Sequence, residues 1–86
     1  VQKFTYTILE DFGIHARPAG LLVKLAKSFP DTTVTITNAG ITVKATQIIK
    51  LMNMGVTLGD VVTVTATGAA EKEAIAAFQT FFEENL

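Results

Sequence analysis

Val61-Val62-Thr63-Val64-Thr65-Ala66-Thr67 is the stretch on which the fold class turns. From Val62 onward, apolar and hydroxyl side chains alternate with a period of two, which marks a strand with one buried and one solvated face. Gly68 closes it. Over residues 70–84 the rhythm changes: Ala74, Ala77, Phe78, Phe81 and Phe82 recur at helical spacing. Glu71 and Glu73 stand in the first turn, where negative charge suits the helix dipole. A one-sided strand followed by a one-sided helix asks for a sheet covered by helices.

Upstream, Gly59-Asp60 opens a turn. A short helix runs from Thr46 or Gln47 to Asn53 and ends near Gly55, a C-terminal signal. Residues 33–37 (TVTIT) and 41–45 (ITVKA) are rich in β-branched side chains, and Asn38-Ala39-Gly40 between them reads as a hairpin turn. Ala16 to Ser28 is helical, with Ala19, Leu22, Ala26 and Phe29 on one face and Leu21 and Leu25 widening it. Pro18 fits the first turn, where its missing N–H is no loss. Lys24 and Lys27 lie toward the end, and Pro30 stops the helix. Residues 2–8 (QKFTYTI) alternate again, with Phe4, Tyr6 and Ile8 on one side. The order β-α-β-β-α-β-α predicts an α+β fold: a four-stranded antiparallel sheet with three helices on one face. Ferredoxin-like βαββαβ packing shares that element order, so periodicity leaves the strand order open.

The 86 residues make one domain, 1–86, and its 49% hydrophobic content argues against disorder. A chain this short buries only about two thirds of its unfolded surface, so each core side chain counts. There is no cysteine, which excludes disulfides and cysteine zinc sites and fits a reducing compartment. No metal site or cofactor is expected. No apolar run approaches the roughly 20 residues of a membrane span, and VQKFTYTILEDFG is too polar for a signal peptide. The chain is therefore expected in the cytoplasm, without membrane insertion. A net charge of −1 argues against nucleic acid as a partner. Residues 13–50 nevertheless hold Arg17, Lys24, Lys27, Lys44 and Lys50 against Asp31 alone, an excess of +4.

One segment carries chemistry: Gly13-Ile14-His15-Ala16-Arg17-Pro18-Ala19. His15 is the single histidine. It follows a glycine able to take positive φ and stands just before a helix, whose first N–H groups favour an anion. Arg17 offers a planar fork of donors for phosphate oxygens. A nucleophilic imidazole at an anion-binding helix start suits a phosphoryl group, held through a labile P–N bond. By spacing alone, His15 as a helix cap, or packed against Ile14, is an equal alternative.

With GIHARPA at 13–19, ATQIIKLMNMGV at 45–56 and VVTVTATG at 61–68, the chain resembles the HPr family, the histidine-containing phosphocarriers of the bacterial phosphoenolpyruvate sugar phosphotransferase system. The resemblance spans essentially the whole chain. It implies an open-faced β-sandwich and a carrier without substrate turnover of its own. His15 would be phosphorylated at Nδ1 by Enzyme I and would pass the group to Enzyme IIA domains of sugar permeases. Arg17 would steady the phosphohistidine, and Ala16 and Pro18 would shape the helix start. Ile48, Ile49 and Met52 would form an exposed docking patch with Gly20 and Lys24 at its rim, while Leu51 and Met54 point inward. The basic excess on this side implies an acidic partner surface. The carrier is expected to be a monomer.

The chain departs from relatives that carry a regulatory serine at the start of the short helix. Gln47 stands there and cannot accept phosphate, which argues against a kinase-controlled co-repressor role. Thr46 is a weaker acceptor candidate and reads better as the helix N-cap. The stretch Thr32-Thr33 is one residue longer than in some relatives, an insertion placed in a turn. The competing readings are a regulatory HPr-like binding module, and a carrier in a nitrogen-related or dihydroxyacetone branch. An autonomous enzyme is disfavoured by the single histidine, the lack of a carboxylate pair near it and the lack of a nucleotide loop.

Overall fold

The computed structural model describes residues 1–86. Its elements are β1 (Gln2–Thr7), α1 (Ala16–Lys27), β2 (Thr32–Asn38), β3 (Ile41–Lys44), α2 (Ile48–Met52), β4 (Val61–Gly68) and α3 (Glu71–Asn85). The expected order of elements holds, with ends shifted by one or two residues.

The strands form one antiparallel sheet in the order β1-β4-β2-β3. The element order had left this open. β4 takes a central place between β1 and β2, with Val64 paired to Phe4 on one side and Ile36 on the other. Its inward side chains Val62, Val64 and Ala66 are fully buried, as a central strand with one covered face requires. Its hydroxyl residues Thr63, Thr65 and Thr67 alternate with them.

The covered face meets Leu22 of α1, Leu51 of α2, and Ala74, Phe78 and Phe82 of α3 in one cluster of 19 buried residues. Phe82 packs edge-on against Phe4 at 5.7 Å and Tyr6 at 5.5 Å, joining α3 to the edge strand β1. Ala77 is only half-buried, so the inward stripe of α3 is narrower than its sequence suggests. Leu21 likewise does not widen the buried face of α1. It is 39% exposed, because α1 packs through Pro18, Ala19, Leu22 and Ala26.

Polar groups at the element ends find partners. The buried Thr32 hydroxyl accepts the Ala70 N–H at 2.9 Å and ties β2 to the start of α3. Glu71 accepts from the Val1 amino group and from the Gly68 N–H, and these two bonds hold its carboxyl below the usual pKa. The β2–β3 hairpin turns on Ala39 and Gly40, both at positive φ, with Asn38 still paired in the ladder. No helix is long and apolar enough to cross a membrane.

Candidate functional site

The site begins with a constraint at Gly13. Its φ is +61°, and a Cβ there would run into the backbone carbonyl of Val56. Only glycine fits this conformation and this close approach. The next amide, that of Ile14, donates to the Val56 carbonyl at 3.2 Å, and the Ile14 side chain is buried. The loop is thereby pinned on both sides of the turn, and the following residue faces outward.

That residue is His15. It occupies the N-cap position of α1 with an extended backbone, and its carbonyl accepts the Ala19 N–H at 2.9 Å. The side chain makes no capping hydrogen bond and is exposed. The two competing roles for the imidazole, capping the helix or packing inside with Ile14, are both absent. The N–H groups of Ala16 and Arg17 bond to no other group of the protein, and Pro18 has none to offer. No acidic residue stands in the first turn. Two free donors and the positive end of a 12-residue helix therefore lie beside the exposed ring. Arg17 is exposed and forms no ion pair, so its guanidinium is uncommitted.

His15, Arg17 and Pro18 line one surface recess of about 340 Å³. Glu10, Phe12, Leu21, Glu84 and Asn85 complete it. Glu10 and Glu84 line the recess from the preceding loop and from α3. Glu84 arrives from the far end of the chain, where the Leu9 and Glu10 amides donate to the Leu86 carbonyl and draw the end of α3 against this loop. Neither that approach nor the edge-on contact of Phe12 with His15, ring centres 5.9 Å apart, has a local signal in sequence. No group of three His, Asp or Glu side chains is placed to hold a metal ion.

The apolar residues of α2 divide cleanly. Leu51 and Met54 are buried, while Ile48, Ile49 and Met52 are 37%, 65% and 40% exposed. Gly20 is the close neighbour on α1: a Cβ there would lie 3.9 Å from Ile48 Cδ1. Leu21, Ile48, Ile49 and Met52 thus place exposed apolar surface on both helices, with Lys24 and Lys50 also in solvent. α2 is shorter than its sequence suggests. Its N-cap is Gln47, not Thr46, and it has no side-chain cap, since the Thr46 hydroxyl makes no hydrogen bond. Gln47 is half-buried.

A family model described as the PTS HPr component phosphorylation site matches residues 2–84. The phosphocarrier protein HPr of Mycoplasma genitalium is 36% identical over 85 residues, covering 99% of this chain and 97% of that one. HPr of Vibrio cholerae is 41% identical over 68 residues, 79% of each chain. The crystal structure of HPr-C-His from Thermoanaerobacter tengcongensis superposes with a TM-score of 0.90 at 34% identity, covering 98% of this chain and 93% of the other.

Proposed function

The chain belongs to the HPr family of phosphocarriers, and we propose that it carries the phosphoryl group of the phosphotransferase system on His15. A phosphocarrier of this system needs a nucleophile open to two protein partners in turn. The observation that carries the assignment is an exposed, uncapped imidazole beside two unpaired amides and an unpaired guanidinium.

In the forward step, a ring nitrogen (Nδ1 by resemblance) attacks phosphorus with its lone pair. The bond from phosphorus to the donor's leaving atom breaks, and that atom keeps the electron pair. The new P–N bond places three phosphoryl oxygens near the Ala16 and Arg17 amides and the Arg17 fork, whose charge-assisted hydrogen bonds stabilise the transferred anion. In the return step the acceptor's nucleophile attacks phosphorus and the P–N pair goes back to the ring.

Enzyme I is the donor in this reading and Enzyme IIA domains are the acceptors. Both dock on the Ile48, Ile49 and Met52 surface with Gly20 and Lys24 at its edge. The protein acts as a monomeric cytoplasmic carrier with no turnover of its own. Gln47 removes the hydroxyl that a regulatory kinase would use, which favours the carrier over a regulatory binding module.

Incubation with Enzyme I and labelled phosphoenolpyruvate tests the assignment. The expected result is one acid-labile label per chain, absent in His15→Ala. Label retained by His15→Ala overturns it.

A further inference from the structure

Phe12 has no part in phosphoryl transfer as described above, yet it is the most conspicuous side chain around the histidine. Its ring is 74% exposed, whereas the other five phenylalanines are buried or half-buried. It stands edge-on to the His15 imidazole at 5.9 Å and 78° and lines the same recess as Arg17 and Leu21. Gly13 and Ile14 pin the backbone immediately after it. An aromatic ring in water forgoes the burial that normally stabilises a phenylalanine, and a single edge contact with His15 offsets little of that loss.

We propose that Phe12 is a partner-contacting residue: its ring enters an apolar recess that a phosphoryl-donating protein presents beside its own reactive group. This extends the assignment of His15 and rests on it. Continuity identifies the occupant. Leu21 lines the histidine recess, and one residue before it Gly20 borders Ile48, so exposed apolar surface leads from the recess to α2. Phe12 adds a contact from the loop preceding the histidine to those from the helices that follow it. A partner that covers both sequesters the imidazole between them.

The test is steady-state phosphorylation by Enzyme I and phosphoenolpyruvate, with wild type, Phe12→Ser, Phe12→Leu and His15→Ala as the varied carrier. Phe12→Ser is expected to raise KM about tenfold, equivalent to about 1.4 kcal/mol, with kcat unchanged. Phe12→Leu is expected to recover most of the loss, and neither variant to melt below wild type. An unchanged KM for Phe12→Ser overturns the proposal, as does an equal loss in Ser and Leu variants or a fall in kcat alone. His15→Ala separates the two layers. Wild type labelled at another residue fails the underlying assignment, whereas wild type labelled at His15 with an unaltered Phe12→Ser KM fails the contact alone.

Discussion

At the scale of single residues, the site depends on a glycine that admits no side chain and an arginine with no partner. Gly13→Ala forces a Cβ against the Val56 carbonyl at φ +61°, so it is expected to lower stability by about 1–3 kcal/mol, read as a drop in melting temperature. Arg17→Ala removes an exposed, unpaired guanidinium. It is expected to slow phosphoryl transfer about 10- to 100-fold, the worth of one or two charge-assisted hydrogen bonds. Rapid-quench phosphorylation measures that, and an unaltered circular dichroism spectrum checks that the fold is intact. His15 and Arg17 were legible because glycine, histidine and a helix start follow one another within a few residues. Glu84 was not, since its approach depends on the end of α3 closing against the loop at Leu9 and Glu10. Phe12 is close in sequence, but whether a phenylalanine turns inward or outward is decided by the space around it.

At the scale of elements, the hairpin and the short helix are the informative cases. Ala39 holds φ +50° in the two-residue turn where asparagine or glycine is at ease. Ala39→Asn is expected to stabilise the chain by about 1 kcal/mol, measured by urea unfolding at unchanged slope. α2 exposes Met52 while burying Leu51 one residue before it. Met52→Asp is expected to weaken binding of Enzyme I in calorimetry while leaving the lifetime of the isolated phosphohistidine unaltered. The periods of two and 3.6 disclosed the main strands and the two long helices. They fail at α2, whose five residues are too few for a period to fix its ends: Gln47, not Thr46, takes the N-cap position, and its side chain makes no capping bond. They also overstated the inward face of α1, because hydrophobic spacing does not tell a buried leucine from one such as Leu21 that borders a site.

At the scale of the whole molecule, a thin core holds the histidine loop, α2 and the end of α3 in one arrangement. Phe78 is fully buried where α3 meets the sheet, so Phe78→Ala is expected to cost about 3–5 kcal/mol. That is a large share of a small domain's total stability, and thermal unfolding would show it directly. The layers of this architecture were legible from one-sided strands and helices. The strand order was not, because which strands pair depends on long-range contacts that no local pattern records. What the arrangement accomplishes is to leave one nucleophile in solvent at the positive end of a helix. The most direct measurement is a ³¹P–¹⁵N correlation spectrum of protein treated with Enzyme I and phosphoenolpyruvate. One phosphorus resonance coupled to a ring nitrogen of His15 is the predicted result, and a phosphorus resonance assigned to any other residue would contradict it.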